Sequence, residues 1–192
     1  MEIGILALQG AFIEHAHILD GLGIDSKQVR KPGELKSLDG LIIPGGESTT
    51  MLNLANNYDL IEPLRKLGFD GFPMMGTCAG MILLAKTVSN SDIKTLGLMD
   101  IKVLRNAFGR QPDSFETDLD IKALGDKPFH SVFIRAPLIE EAGDNVEILG
   151  KLENGTIVAV RQGNILGMSF HPELIDDNRM HEYFLKIVLG NK

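Results

Sequence analysis

Cysteine is almost missing from this sequence, since Cys78 is the single one among 192 residues. With one thiol the chain can form no internal disulfide, and it has no second thiolate for a cysteine-rich zinc site. Nothing therefore points to an oxidising compartment. A domain of this length can fold around its own core without a disulfide or a structural metal.

Surplus positive charge and long apolar runs are missing as well. The 26 acidic side chains outnumber the 19 basic ones and give a formal net charge of -7, whereas nucleic-acid binding draws on clustered Lys and Arg. No stretch of about 18 apolar residues is present to cross a membrane. The apolar start over residues 1–8 lacks the basic residues that open a signal peptide. We therefore expect a cytoplasmic protein that binds neither nucleic acid nor membrane.

The first half of the chain alternates short apolar runs with amphipathic stretches. Four runs predict strands, over residues 3–8, 26–29, 40–43 and 72–75. A helix is predicted over residues 11–22 because apolar side chains recur there at helical spacing: Phe12, Ala16, Leu19 and Leu22. Strands separated by helices form a parallel sheet. Two of these strands end in glycine-rich turns, at the edge where open α/β sheets bind ligands.

The second half has strand-like runs that follow one another more closely. Six are predicted, over residues 101–104, 117–121, 131–134, 146–149, 157–160 and 165–170. A final helix is predicted over residues 176–189, with Asp176 as its cap. No repeat or linker divides the chain. We expect one α/β domain over residues 1–192, a three-layer fold with a mostly parallel central sheet, helices on both faces and an added antiparallel portion.

Cys78 lies in Gly76-Thr77-Cys78-Ala79-Gly80, between an apolar strand and a run over residues 81–86 that favours a helix. This is the nucleophile-elbow pattern with cysteine in the serine position, and its glycines are needed because side chains there would collide with neighbouring backbone. A helix N-terminus favours the thiolate form of a cysteine and offers N–H groups to an oxyanion. The alternative is a small buried apolar residue; the flanking glycines favour a nucleophile.

A thiolate nucleophile needs a base, and His171 is the best candidate. It directly follows a strand, on the same rim as the elbow, and Glu173 lies two residues on, where it can orient the imidazole ring. A surface or capping role is the alternative for a histidine at a strand end. His15 and His17 face different directions on a helix, so we expect solvent or interface positions for both. The spacing of two other histidines, His130 and His181, indicates no chemistry.

The segment Pro44-Gly45-Gly46-Glu47-Ser48-Thr49-Thr50 connects a strand to a predicted helix. It lacks the lysine of a phosphate-binding P-loop. Its paired glycines suit a flexible backbone donor, with one N–H forming half of an oxyanion hole, while Ser48 or Thr49 can cap the helix.

Two arginines follow apolar runs, Arg105 and Arg135. A guanidinium at such a strand end can hold a substrate carboxylate. The alternative for each is an ordinary surface charge.

Taken in order, the motifs PGGEST, GTCAG and FHPE resemble the class I glutamine amidotransferases, which use a catalytic triad. Three further segments resemble one branch, the glutaminase subunit of pyridoxal 5'-phosphate synthase: LALQGAFIEH at Leu6–His15, RNAFGRQPDSFE at Arg105–Glu116 and FIRAP at Phe133–Pro137. The resemblance covers nearly the whole chain, with no departure at the motif positions. The length fits that subunit without an attached synthase domain.

The resemblance implies an activity and a set of roles. Cys78 would attack the side-chain amide of L-glutamine, His171 would transfer the proton, and Glu173 would orient His171. The backbone N–H groups of Gly46 and Ala79 would stabilise the oxyanion. The glutamine pocket would be lined by Gly46, Glu47, Ser48, Arg105, Ile134 and Arg135. Ammonia would pass to a separate synthase subunit that makes pyridoxal 5'-phosphate, and the chain would need neither a cofactor nor a metal.

A peptide between two glycines, such as Gly45–Gly46, can rotate at little steric cost. We therefore expect poor glutamine hydrolysis by the isolated chain and activation by the synthase subunit, with Gln9 and the helix after it as the contact surface. Two other functions stay open at this point. One is a different class I subunit, such as that of histidine biosynthesis, and the other is a module that binds glutamine without catalysis.

Overall fold

The computed structural model describes residues 1–89, 91–105 and 114–190. Residues 106–113, which carry most of the Arg105–Glu116 motif, lie outside the described residues. The helices of the described residues are α1 Phe12–Gly21, α2 Ser48–Asn57, α3 Ile61–Phe69, α4 Ala79–Leu84 and α5 Arg179–Gly190. The strands are β1 Glu2–Leu6, β2 Asp25–Val29, β3 Gly40–Ile43, β4 Met74–Thr77, β5 Ala85–Val88, β6 Met99–Leu104, β7 Ser114–Leu119, β8 Phe129–Ile134, β9 Leu138–Ala142, β10 Glu147–Lys151, β11 Ile157–Gln162 and β12 Ile165–Met168.

The main sheet has a parallel half and a mostly antiparallel half. Its strand order is β2-β1-β3-β4-β12-β11-β9-β6-β5, with β10 paired to β11. The five strands from β2 to β12 are parallel to one another. Strands β11, β9 and β6 then pair antiparallel, and β5 pairs parallel to β6. Strands β7 and β8 form a separate antiparallel pair.

Side chains of the central strands alternate between two apolar cores. On β3, Leu41 and Ile43 pack with residues of α2, α3 and α4, whereas Ile42 packs with residues of α1 and α5. A strand that is apolar on both faces belongs in the middle of a three-layer fold. This three-layer arrangement, with the added antiparallel portion, is the one predicted from the sequence, and it is confirmed.

Within the described residues, two strands and one α-helix were not predicted from the sequence. Strand β5 occupies Ala85–Val88, so α4 ends at Leu84 and does not extend through residue 86 as expected. Strand β9 and helix α3 are the other two additions.

The start of α5 also differs from its prediction. The helix begins at Arg179, and Asp177 Oδ1 accepts the Arg179 backbone N–H at 3.2 Å. The prediction that Asp176 caps this helix is therefore wrong.

No helix of residues 1–89, 91–105 and 114–190 has the length and apolar character that membrane crossing requires.

Candidate active site

Cys78 occupies a sharp turn between β4 and α4. Its backbone has φ 49° and ψ −107°, in a region that residues other than glycine rarely adopt. The Cys78 N–H donates to the carbonyl oxygen of Met168 on β12 at 2.8 Å, which ties the turn to the neighbouring strand. The thiol is buried but lines a cavity. A strained turn held by a neighbouring strand is what an elbow nucleophile requires.

The two glycines of the elbow allow close packing of backbone on backbone. A Cβ on Gly80 would lie 1.9 Å from the Ile43 carbonyl oxygen, and a Cβ on Gly76 would lie 2.7 Å from the Gly80 carbonyl oxygen. Neither contact can be relieved by turning a side chain, because the atoms met are backbone. This is the collision that the sequence predicted for side chains at these positions.

His171 and Glu173 follow the carboxyl end of β12, which lies beside Cys78 because β12 is parallel to β4. The His171 N–H donates to the Val132 carbonyl oxygen at 2.9 Å, which fixes this segment against β8. Its ring nitrogen Nδ1 lies 2.7 Å from Glu173 Oε1, and the ring also interacts electrostatically with Cys78. Pro172 and Glu173 belong to a 3₁₀ turn over Pro172–Leu174, whose short span brings the carboxylate back to the ring. His171 thus lies between Cys78 and Glu173 and interacts with both.

The electrostatics of His171 favour its charged form. Burial opposes the positive charge, but hydrogen bonds with Cys78 and Glu173 and the charges of both outweigh burial and raise the pKa of His171 to about 10. The ring is therefore an imidazolium at neutral pH. An imidazolium that contacts a cysteine can donate a proton to a leaving group.

A cavity of about 420 Å³ opens in front of Cys78. Apart from Glu173, every other residue that was predicted for the site lines this cavity: Gly46, Glu47, Ser48, Ala79, Arg105, Ile134, Arg135 and His171. Glu173 does not line the cavity and lies behind His171. The predicted site residues come from five separate segments of the sequence, at residues 46–48, 78–79, 105, 134–135 and 171–173, which the fold brings to one edge of the sheet.

The Gly45–Gly46 peptide is held by the segment that follows β1. The Ala11 N–H donates to the Gly45 carbonyl oxygen at 3.1 Å. Gly10 has φ +96°, and a Cβ there would lie 1.7 Å from the same oxygen, so only glycine permits this approach. Gln9 Oε1 accepts the Glu47 N–H at 2.6 Å. Residues 9–11 thus fix the orientation of the candidate oxyanion donor.

Glu47, and neither Ser48 nor Thr49, caps α2. Its carboxylate accepts the backbone N–H groups of Thr49 at 3.1 Å and of Thr50 at 2.6 Å. Partial burial opposes the charge on Glu47, but these hydrogen bonds lower its pKa below the usual range. The capping role expected for Ser48 or Thr49 is therefore wrong, because a carboxylate one residue earlier reaches the same N–H groups.

The two arginines differ in their partners. Arg105 Nη2 lies 3.1 Å from Glu47 Oε1, so this guanidinium is already paired. Arg135 is exposed, lines the cavity and makes no ion pair within the part of the chain that is described. Its backbone has φ 42°, and the preceding Ile134 carbonyl oxygen lies 3.9 Å from the Cys78 sulfur. Arg135 is thus the cation available to a ligand beside the thiol.

His15 lies where the sequence analysis did not expect it. The ring is fully buried, and its Nε2 lies 3.5 Å from Glu173 Oε2, so the expected solvent or interface position is wrong. The signal was present in the helical pattern, because residue 15 lies on the same face as Phe12 and Leu19. His17 on the same helix is exposed, as expected.

Two other histidines also have polar partners. His181 on α5 is fully buried against His15. His130 lies on β8 between Asp118 and Glu116, whose hydrogen bonds raise its pKa. Across residues 1–89, 91–105 and 114–190, no group of three or more His, Cys, Asp or Glu could hold a metal ion.

Comparison with known proteins assigns a family and a fold to this geometry. The profile of the SNO glutamine amidotransferase family matches residues 5–189. A "Pyridoxal 5'-phosphate synthase subunit PdxT" from Herpetosiphon aurantiacus is 55% identical over 188 residues, which cover 96% of this chain and 99% of the relative. A protein of the same name from Dehalococcoides mccartyi is 57% identical over 194 residues, with 100% of both chains covered.

Solved structures agree with the fold. A crystal structure described as a glutamine amidotransferase superposes with a TM-score of 0.92 at 48% identity, covering 97% of this chain and 98% of that one. PurLQS from Thermotoga maritima superposes with a TM-score of 0.72 at 18% identity and shares the fold alone. The class I amidotransferase-like α/β fold predicted from the motifs is therefore confirmed. Because the family profile matches residues 5–189 and these curated relatives are 55% and 57% identical over nearly the whole chain, the chain belongs to the SNO glutamine amidotransferase family.

Proposed function

We propose that this chain hydrolyses L-glutamine to L-glutamate and ammonia, and that it supplies the ammonia to a synthase subunit for pyridoxal 5'-phosphate biosynthesis. The observation that carries the hydrolysis is Cys78 on a strained elbow, in contact with an imidazolium that is paired with a buried carboxylate. The second half of the proposal is supported by the names of the curated relatives, which are subunits of pyridoxal 5'-phosphate synthase.

As an imidazolium, His171 is the proton donor that the first step of the reaction requires. The Cys78 thiolate attacks the side-chain amide carbon of glutamine, and the carbonyl oxygen becomes an oxyanion. His171 then gives its proton to the amide nitrogen, the C–N bond breaks, and ammonia leaves behind a glutamyl thioester. Neutral His171 next removes a proton from water, which attacks the thioester and releases glutamate and the thiolate. Glu173 holds the ring through Nδ1 in both steps.

The oxyanion needs two N–H donors, for which we propose Ala79 and Gly46. Ala79 is the first residue of α4, so its N–H has no partner within the helix. The Gly46 N–H belongs to the peptide whose carbonyl oxygen is held by Ala11. Rotation of this peptide breaks that hydrogen bond, at a cost of about 0.5–1.5 kcal/mol. Contact of a partner with residues 9–11 can therefore control the donor.

The glutamine pocket is proposed to use the charges around the cavity. Arg135 would bind the α-carboxylate of glutamine, since it is exposed at the cavity and unpaired within the described residues. Arg105 and Glu47 would form the opposite wall as a pair, with Ser48 beside them. Ile134 covers the thiol from the β8 side.

The synthase subunit is proposed to dock on Gln9 and α1. The outer face of α1 exposes the large apolar side chain of Ile13, which is 49% exposed, and Leu174 beside the cavity is 45% exposed. Apolar side chains left in water near a site favour a partner surface. A cytoplasmic location is part of the proposal, because the reaction requires a reduced thiol.

The test is ammonia release from glutamine by the purified chain, measured alone and with a matching synthase subunit. We expect the partner to raise the rate by about 10-fold or more, as for an active conformer that is populated to about 10% or less in the isolated chain. Cys78→Ala is the matched control, because it removes the sulfur and little volume; it should fold normally and release no ammonia with the partner.

Three outcomes would contradict parts of this proposal. Equal activity with and without the synthase subunit would leave the hydrolysis standing but reject the partner. Cys78→Ala activity within about tenfold of the parent would mean that another group attacks. No ammonia release in either sample would reject hydrolysis and favour a module that binds glutamine without catalysis.

A further inference from the structure

Behind the triad lies a second set of buried polar side chains, the His15–His181 pair. His15 on the inner face of α1 and His181 on α5 are both fully buried. His15 Nδ1 lies 2.9 Å from His181 Nε2, and His15 Nε2 lies 3.5 Å from Glu173 Oε2. The pair therefore continues the line from Cys78 through His171 and Glu173 into the core.

Both rings of the pair are neutral at physiological pH. Burial lowers the pKa of His181 to about 4. Burial, followed by the neighbouring His181 and His171, lowers the pKa of His15 well below its ordinary value. Each ring consequently carries one N–H and one bare nitrogen. The contact between the two rings requires one of the two facing nitrogens to donate and the other to accept.

The position of Glu173 decides which nitrogen of His15 carries the proton. If His181 Nε2–H donates to His15 Nδ1, then His15 Nε2–H points at the carboxylate, with Thr77 Oγ1 as a second acceptor at 3.4 Å. The reverse arrangement sets a lone pair of His15 against the carboxylate. It also leaves a buried N–H on His181 Nδ1, which has no partner within the described residues. The first arrangement avoids both penalties.

Glu173 has one oxygen that the triad does not use. Oε1 is paired with His171, whereas Oε2 is buried and makes no hydrogen bond of ordinary length with a described residue. The 3.5 Å separation from His15 is longer than a standard hydrogen bond, and catalytic contacts in unliganded sites commonly shorten when substrate binds. A buried carboxylate oxygen with no donor would turn toward another partner and would take Oε1 away from His171.

We propose that His15 is a positioning residue for the glutaminase reaction: held by His181, it directs Nε2–H at Glu173 Oε2 and so fixes Oε1 against His171. This inference rests on the proposed function, since it assigns His15 a part in that reaction. His15 touches neither substrate nor thiol in this role. It acts through Glu173, from a helix whose outer face is the proposed docking surface.

The test compares His15→Leu with His15→Gln in the complex of the full chain and its synthase subunit. Leucine fills a similar space but has no side-chain N–H. We therefore expect kcat to fall about 10- to 100-fold, which is typical when an outer partner of a catalytic group is removed. The KM for the substrate glutamine should stay within about twofold of the parent value. In His15→Gln, the side-chain amide N–H of the new residue can reach the position of the His15 Nε2–H. This variant should therefore recover most of the parent kcat. Equal kcat values for His15→Leu and the parent would overturn the proposal.

A double-mutant cycle separates positioning from a general structural role. In a Glu173→Ala background, His15→Leu should cause no further loss of kcat, because the group it positions is gone. If His15→Leu lowers kcat by the same factor in the parent and in the Glu173→Ala background, the positioning role is overturned.

A third substitution at His15, His15→Asn, keeps the test informative if His15→Leu does not fold. The asparagine side chain in this variant keeps a polar group near the position of the His15 Nδ1 but is too short to reach Glu173. It should therefore show a lower kcat than His15→Gln, and equal kcat values for the two would overturn the proposal. If the parent complex is active and the His15 variants have the same kcat as the parent, only the role of His15 is rejected. An inactive parent complex would reject the proposed function and this role together.

Discussion

The Ile43 carbonyl oxygen lies only 1.9 Å from the point where a Cβ on Gly80 would be. Strand β3 and the start of α4 are thus packed backbone against backbone, two residues after the candidate nucleophile. This contact also places the end of β3, and with it the Gly45–Gly46 loop, beside Cys78, since a Cβ on Gly45 would lie 3.4 Å from the Cys78 Cβ. The elbow at Cys78 and the Gly45–Gly46 loop with the candidate oxyanion donor are therefore packed together as one unit.

Gly80→Ala should destabilise the fold and distort this unit. An added methyl group meets backbone that cannot turn aside, so we expect a loss of about 3 kcal/mol or more in the free energy of unfolding. Urea denaturation followed by circular dichroism measures it. Gly33→Ala is the matched control because nothing lies within 4 Å of its Cβ, and its unfolding free energy should change by less than about 1 kcal/mol. Equal unfolding free energies for Gly80→Ala and Gly33→Ala would contradict the packing argument.

The two partners of Cys78 should differ in their importance for hydrolysis. His171→Asn removes the group that carries the proton in both steps, and it should nearly abolish ammonia release by the complex. Glu173→Ala leaves the ring but removes its 2.7 Å partner. Its loss of kcat should be about 10- to 100-fold smaller than that of His171→Asn, as for the orienting member of other triads.

Steady-state kinetics of both variants measure this difference, with thermal unfolding to confirm that each is folded. The double variant should be no slower than His171→Asn alone, because the triad acts as a unit. Additive losses in the double variant would mean that Glu173 acts on something besides His171.

The sequence was sufficient to predict the elements that repeat a simple pattern. Strand β3 and the elbow at Cys78 follow from apolar runs and glycines, which are local signals. The short strand β5 was missed because its residues Ala85–Val88 continue a helix-favouring run, and pairing with β6 determines their structure. Local sequence does not encode such pairing.

The same limit applies to the site. Cys78, His171 and Glu173 were predicted as the triad because short motifs carry them. His15 was assigned to the surface because its partner lies 158 residues later in the sequence, at Glu173. A polar residue on the buried face of a helix signals a partner, but only the packed structure identifies which one.

Arg135→Gln should weaken glutamine binding more than it slows the chemistry. The guanidinium is exposed at the cavity and unpaired within the described residues, so its loss removes a charge-assisted contact to the substrate carboxylate. We expect KM for glutamine to rise about 10-fold or more with a small change in kcat. Arg65→Gln is the control, since Arg65 pairs with Glu62 on the surface of α3 and should leave both constants unchanged. A fall in kcat at constant KM would instead indicate a role in the transition state.

Acid should destabilise the chain through its buried neutral histidines. The pKa of His181 is about 4 when folded, against an ordinary value of 6.5. Between these values the unfolded chain binds the proton and the folded chain does not, so stability falls as pH falls. The contribution is complete above pH 6.5 and is lost as pH drops toward 4, with a slope of about 1.4 kcal/mol per pH unit for one proton.

Comparison with His181→Gln isolates this contribution from those of the carboxylates. The side chain introduced in His181→Gln does not titrate, and its amide N–H can still donate to His15. The unfolding free energy of the variant should therefore fall less steeply than that of the parent as the pH drops from 6.5 to 4. Urea unfolding at four pH values in this range gives both slopes. The absolute stabilities can differ without affecting the argument, because only the pH dependence reports proton uptake. Identical slopes would mean that His181 is already protonated in the folded chain, and the direction of the His15–His181 hydrogen bond would then have to be reassigned.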